Sequence, residues 1–182
     1  MFKLLKTVLK TGEATTKYPF APLEVSQDFR GKPELNADQC LSCGACTRAC
    51  PANALIMETD EQAGTRRWEL SMARCIYCGR CEEVCPTKAI KLSQNFELAV
   101  TNKADLYESA TFALADCSQC GRPFVARKLL EYVLDTLELS GVPTDQLAQR
   151  REQLETCPEC RRRNNMLDSE NINHLRFIEE DV

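Results

Sequence analysis

Twelve cysteines stand in 182 residues, and eight of them fall in two runs with one spacing. The first run, CLSCGACTRACP, sets thiols at Cys40, Cys43, Cys46 and Cys50, with Pro51 next. The second, CIYCGRCEEVCP, sets them at Cys75, Cys78, Cys81 and Cys85, with Pro86 next. At an offset of 35 positions every cysteine meets a cysteine, proline meets proline, Ala54 meets Ala89 and Leu55 meets Ile90. An iron–sulfur cube needs such a set, because each of its four irons takes one thiolate from the protein. A C-x2-C-x2-C loop can wrap three corners of the cube, and the fourth thiolate must come from elsewhere. In the full C-x2-C-x2-C-x3-C-P run that fourth cysteine serves the other cluster. The pattern therefore assigns Cys40, Cys43, Cys46 and Cys85 to one [4Fe–4S] cluster. It assigns Cys75, Cys78, Cys81 and Cys50 to a second. Zinc competes for a single loop of this kind, but it gives no reason for the fourth cysteine and its proline to recur. Gly44 and Gly79 follow the second cysteine of each run, where a missing side chain lets backbone approach the sulfur cage. Pro51 and Pro86 end each short helix and turn the chain away.

Four thiols remain, in CSQC and CPEC. Cys117, Cys120, Cys157 and Cys160 form two C-x2-C knuckles, the ligand set of a structural four-thiolate zinc site. Mononuclear iron fits the same tetrahedral sulfur donors. Two unrelated thiol pairs, or a disulfide, are the competing readings. The 36 residues between the knuckles exceed those of a compact zinc ribbon. A helical hairpin would return the second knuckle to the first, and structural zinc would supply on the order of 10 kcal/mol of folding free energy.

Other chemistry lacks actors. There is no G-x-G-x-x-G opening a helix, no P-loop and no H-E-x-x-H. The single histidine, His174, lies near the C-terminal tail and reads as a solvated side chain. With every cysteine assigned, no free thiol is left for nucleophilic work. Arg161, Arg162 and Arg163 read as a solvated run beside the last knuckle. The formal charge of −4 argues against nucleic acid as a partner. MFKLLKTVLKTG is interrupted by Lys3, Lys6 and Lys10 and is no signal peptide. No stretch approaches the roughly 20 apolar residues of a membrane span, so no transmembrane segment is expected. A reducing cytosol suits twelve metal-binding thiols better than a disulfide framework does, and a cytoplasmic location is expected.

The elements that position these thiols fall into four stretches. Residues 1–37 are an amphipathic helix, with Phe2, Leu5 and Leu9 on one face, followed by an extended arm punctuated by Pro19, Pro22 and Pro33. The helix is expected either to pack on its own domain or to rest on a membrane-associated partner. The arm is expected to lie across a partner or to hang free. Residues 38–100 are the two-cluster domain. Each of its repeats is a cysteine loop, a short helix and a strand, and ALIMETD pairs with TRRWELS as a hairpin. Residues 101–165 read as a mainly helical subdomain. NKADLYESATFALAD is helical in composition, RPFVARKLLEYVLDTLELSG has helical apolar spacing, and TDQLAQRREQLE opens on Thr144 as a candidate N-cap. Residues 166–182 read as a polar tail. The fold class is thus α+β, a pseudo-twofold core with an N-terminal helix and arm and a C-terminal subdomain stapled by a four-cysteine metal site.

The two runs, preceded by YPFAPLEVSQDFRGKP, resemble the two-cluster, bacterial ferredoxin-like subunit of respiratory complex I. With CSQC, CPEC and IYCGRCEEVCPTKAIKLSQNFELAV, the chain is more similar to the ferredoxin-type subunit of formate hydrogenlyase and of hydrogenase-4. That resemblance implies a non-catalytic electron-transfer subunit of a membrane-bound complex. Its partners would be a [NiFe] hydrogenase large subunit, a small subunit, a polyferredoxin and membrane-arm subunits. Electrons from formate would pass through the two clusters toward proton reduction. The chain would sit peripherally on the cytoplasmic face of the inner membrane, held there by its partners. The rival readings are a free soluble ferredoxin and an iron–sulfur or zinc regulatory protein. The first leaves the N-terminal helix, arm and C-terminal subdomain idle, and the second lacks a basic aromatic surface.

Overall fold

The computed structural model describes residues 2–166. His174 and all of the tail beyond Met166 lie outside the described residues. The elements run α1 (Phe2–Thr11), β1 (Pro33–Leu35), α2 (Ala45–Ala49), β2 (Leu55–Asp60), β3 (Thr65–Ser71), α3 (Arg80–Val84) and β4 (Ile90–Leu92). After a 3-10 turn (Lys103–Leu106) come β5 (Tyr107–Asp116), β6 (Pro123–Ala126), α4 (Arg127–Leu139) and α5 (Thr144–Leu154). A further helical stretch covers 158–166.

The strands make two antiparallel sheets, β1-β4 and β2-β3-β5-β6. The expected hairpin forms, with Leu55 opposite Leu70 and Asp60 opposite Thr65. The Asp60 carboxylate closes its turn by accepting the N–H groups of Gln62 and Ala63, both at 2.9 Å. The buried core lies between the two sheets and the cysteine loops. Trp68, Leu70, Ile90, Leu55, Ala54, Met72 and Phe112 form it, with Cys40, Cys46, Cys75 and Cys81 packed against it.

Three expectations for the C-terminal part give way. NKADLYESATFALAD is not a helix: Tyr107–Asp116 is the longest strand, paired to β3 from Thr65 opposite Ala113 to Ser71 opposite Tyr107. Its Ala and Leu content suits a helix, but Phe112 and Leu114 alternate with exposed neighbours, and period two buries them on one face. The edge that β3 offers, with Trp68 and Leu70 behind it, decides the outcome over weak propensity. RPFVA is likewise strand β6 up to Ala126, and helix begins only at Arg127. Thr144 is the first residue of α5, and the preceding Pro143 occupies the N-cap.

The arm is partly structured by this chain's own residues. β1 pairs with β4, with Pro33 opposite Leu92 and Leu35 opposite Ile90. Just before it, Gly31 donates to the Ser93 carbonyl at 2.9 Å. A Cβ there would lie 2.7 Å from that carbonyl oxygen and run into the Asn95 carbonyl as well, so only glycine fits. Upstream, Tyr18 and Phe29 set their rings against Phe96 at 5.8 and 5.9 Å, and the Tyr18 hydroxyl donates to Glu97 at 2.7 Å. The first helix behaves differently. Phe2, Leu5 and Leu9 are 88%, 61% and 76% exposed, so α1 does not pack on its own domain.

Candidate cluster and metal sites

The two cysteine runs fold as copies of one another. Ser42 and Tyr77 take φ of 53° and 54°, Gly44 and Gly79 take 78° and 80°, and Asn53 and Lys88 take 48° and 55°. Each glycine caps a five-residue helix, α2 or α3, which ends at Cys50 or Cys85 with nearly equal backbone angles. Each loop turns its amides toward sulfur. The Ser42 and Tyr77 N–H groups lie 3.4 Å from Cys40 Sγ and Cys75 Sγ. The Ala54 and Ala89 N–H groups lie 3.3 and 3.2 Å from Cys50 Sγ and Cys85 Sγ. Within the protein itself, the glycines are required by backbone conformation. A Cβ at Gly79 would meet no protein atom within 4 Å, and one at Gly44 only the ordinary neighbours Met57 and Thr47 at 3.7 Å. The left-handed backbone is what requires them.

Two cavities flank the core. One is lined by Cys40, Cys43, Cys46 and Cys85, with Leu35, Met57 and Ile90 as apolar walls. The other is lined by Cys75, Cys78, Cys81 and Cys50, with Pro33, Leu70 and Leu92. Each cavity thus holds three thiols of one run and the last thiol of the other. The two sets abut, since Cys46 of the first lies within electrostatic reach of Cys81 of the second.

The electrostatics suit a cationic guest. Burial pushes the Cys40, Cys46 and Cys75 thiols up, and Cys81 up to about 11. A thiol in so apolar a wall keeps its proton at neutral pH unless a cation takes the proton's place. Burial also acts against the Cys85 thiolate, but the Ile90 and Ala89 amides and the Thr87 hydroxyl outweigh it and hold that thiol below its usual value. Four thiols, apolar walls and inward amides fit an iron–sulfur cube.

The last four thiols also converge. The Sγ atoms of Cys117, Cys120, Cys157 and Cys160 all lie within 4.8 Å of one another. None of the twelve cysteines is in a disulfide, so the readings as a disulfide or as two unrelated pairs give way. Cys117 follows β5, Cys120 precedes β6, and Cys157 and Cys160 follow α5, so α4 and α5 return the second knuckle to the first. The knuckles are tied by backbone: the Cys157 N–H donates to Cys117 Sγ at 3.2 Å and the Ser118 N–H to the Glu155 carbonyl at 2.9 Å. Arg122 and Glu159 pair across them. Burial raises the Cys117 thiol, but the amides of Cys157, Cys120 and Gln119 outweigh it and bring it down to about 6. The hydrogen bond to Cys157, with burial, pushes Cys160 up to about 12. A metal here must displace at least that one tightly held proton, while Cys117 offers thiolate readily.

Sequence reasoning missed the cations that join this part to the first run. Arg66 donates to the Ser42 carbonyl at 3.3 Å and to the Phe124 carbonyl at 3.4 Å. Lys128 reaches the carbonyls of Ala37 and Asp38 at 3.1 and 3.2 Å and sits 6.0 Å from the Phe112 ring centre. Nothing local in the sequence separates either from a solvated side chain.

Comparison with known proteins places these sites in context. Residues 39–89 match the family described as "4Fe-4S dicluster domain". Formate hydrogenlyase subunit 6 of Escherichia coli (strain K12) is 48% identical over 182 residues, covering 100% of both chains. NAD(P)H-quinone oxidoreductase subunit I of Parasynechococcus marenigrum (strain WH8102) is 33% identical over 145 residues, 75% of this chain and 67% of that one. Among solved structures, a chain of the membrane-bound sulfane sulfur reductase, an archaeal respiratory membrane complex, aligns with 27% identity at a TM-score of 0.45. That alignment covers 57% of this chain and 56% of the other. No helix among the described residues is long and apolar enough to cross a membrane.

Proposed function

The chain belongs to the formate hydrogenlyase subunit 6 family, and on that footing we propose that it is a non-catalytic electron-transfer subunit of a membrane-bound hydrogenase complex. The observation that carries this reading is the pair of abutting cavities, each lined by four thiols drawn from both runs. Cys40, Cys43, Cys46 and Cys85 would hold one [4Fe–4S] cluster, and Cys75, Cys78, Cys81 and Cys50 the other, about a pseudo-twofold axis. Bound there, such clusters supply one-electron chemistry. The chain's own residues do the rest. The exchanged fourth cysteines lock the two sites at a fixed separation. Leu35, Met57, Pro33 and Leu92 keep water from the sulfurs, and the Ser42, Tyr77, Ala54 and Ala89 amides stabilise the thiolates. Cys117, Cys120, Cys157 and Cys160 would hold a structural zinc.

Electrons from formate would reach this chain through a polyferredoxin. They would leave through a hydrogenase small subunit toward a [NiFe] site in the large subunit, where protons are reduced. The exposed face of Phe2, Leu5 and Leu9 favours a chain docked on membrane-arm subunits at the cytoplasmic face over a free ferredoxin. A solitary carrier has no use for an unpartnered apolar helix. Tagged full-length chain, solubilised in mild detergent from membranes of its own cells, is expected to bring the hydrogenase subunits with it. Leu5→Asp with Leu9→Asp should release it into the soluble fraction with its iron intact. Wild-type chain purifying alone from the soluble fraction would contradict the reading.

A further inference from the structure

Trp68 is the one tryptophan of the chain and is wholly buried, at 0% exposure. Its indole N–H has no hydrogen-bond acceptor among the described residues. Buried tryptophan N–H groups are as a rule paired, and an orphaned one calls for a partner. The strand partner of Trp68, Met57, lines the cavity that holds Cys46 Sγ, and the indole acts on the Cys46 thiol as a donor would, opposing its burial. Cys46 packs against the core that Trp68 anchors.

The repeat shows what the other site lacks. On β2, Leu55 is opposite Leu70 and Met57 is opposite Trp68. On β4, Ile90 is opposite Leu35 and Leu92 is opposite Pro33. Advancing Leu55 and Met57 by the 35-residue offset gives Ile90 and Leu92, which makes Leu70 the counterpart of Leu35 and Trp68 the counterpart of Pro33. Pro33 is as buried as Trp68, lines the second cavity, and carries neither a side-chain donor nor a backbone N–H. At matched positions, one cavity has a buried N–H donor beside it and the other has a proline ring.

We infer that the Trp68 indole N–H donates to sulfur at the cluster held by Cys40, Cys43, Cys46 and Cys85 and raises that cluster's reduction potential, while Pro33 leaves the other cluster without this help. Reduction adds negative charge to the cluster, and a donor aimed at its sulfur stabilises the reduced form more than the oxidised one. Trp68 is then a positioning and tuning residue. The Lys128 ammonium, anchored on the Ala37 and Asp38 carbonyls, lies on the same side but is exposed and screened by water. Arg30, which donates to the Cys78 carbonyl, and Arg80 lie on the other side and are likewise exposed and screened. The indole N–H is shut away from solvent and keeps its full effect.

This inference rests on the two-cluster reading, and its test separates the two. Holoprotein carrying ¹⁵N-indole tryptophan is reduced and examined by pulsed EPR, where the single label should couple to one of the two cluster spins. Trp68→Phe keeps the ring and removes the donor. In a potentiometric EPR titration it should make reduction of that cluster roughly tenfold less favourable, a shift of about 59 mV for one electron. The other cluster should not move. Two intact cubane signals with no ¹⁵N coupling in the wild type and unchanged potentials in Trp68→Phe would overturn this inference alone. Absence of any cubane signal from wild-type protein would overturn the two-cluster reading and this inference with it. The isotope measurement needs no variant and stands if Trp68→Phe fails to fold.

Discussion

Replacing Cys85 with alanine is expected to remove the cluster of the first run and to spare that of its own. Cys85 lies seven residues beyond Cys78 in sequence, yet it lines the cavity of Cys40, Cys43 and Cys46. Its sulfur is the most prepared of the set to ligate as thiolate, because the Ala89 N–H at 3.2 Å, the Ile90 N–H and the Thr87 hydroxyl all favour the anion. The variant should retain about four of about eight irons, show one cubane EPR signal instead of two, and carry no formate-dependent electrons through the complex. Folding should survive in the second repeat, whose own three-cysteine loop and Cys50 are untouched. Loss of the cluster held by Cys75, Cys78 and Cys81 instead would mean that each run keeps its own fourth ligand.

Replacing Cys160 with alanine is expected to unfold the C-terminal part while leaving both cubane signals. The reason is the size of the two cores. Around the cubane cavities, seven buried residues with Trp68 at the centre support the fold. Around the knuckles, the buried cluster is Cys117, Cys157 and Cys160 themselves, with only Phe124 packed against it. With so little apolar area, this part depends on its metal, whose binding is worth on the order of 10 kcal/mol. Cys160→Ala should abolish zinc binding and make the chain beyond Cys117 sensitive to protease, and zinc chelation should do the same to the wild type. Acid should also release the metal, because protons compete for the thiolates as pH falls. Cys160, pushed up to about 12, takes its proton back most readily, and Cys117, held near 6, most reluctantly. Loss of a cubane signal in Cys160→Ala would make the knuckles part of the cluster sites.

Much of the molecule was legible because its constraints are local or repeated. The 35-residue offset in the cysteines reappears in backbone angles, amide–sulfur contacts and paired helices, since like spacing imposes like loops. The β2-β3 hairpin was legible from its alternation and its turn. Tyr107–Asp116 was not, because composition favoured helix and the deciding partner, β3, lies some forty residues away. The short strand Pro33–Leu35 was hidden for the same reason, its partner β4 being more than fifty residues downstream. Gly44 and Gly79 were legible as special positions, and their left-handed φ adds a local requirement for glycine. Arg66, Lys128 and Trp68 were missed because their roles come from contacts across the fold: Lys128 binds a carbonyl 91 positions away.

The most direct test of the two-cluster reading is a count of iron, acid-labile sulfide and zinc on anaerobically purified chain. About eight iron, eight sulfide and one zinc per chain is the expected result: two cubes in the two cavities and one zinc at the knuckles. About nine iron without zinc would keep the cubes and make the knuckle site a mononuclear iron centre. Little iron and no sulfide, with several zinc, would contradict the electron-transfer reading and leave a structural metal protein.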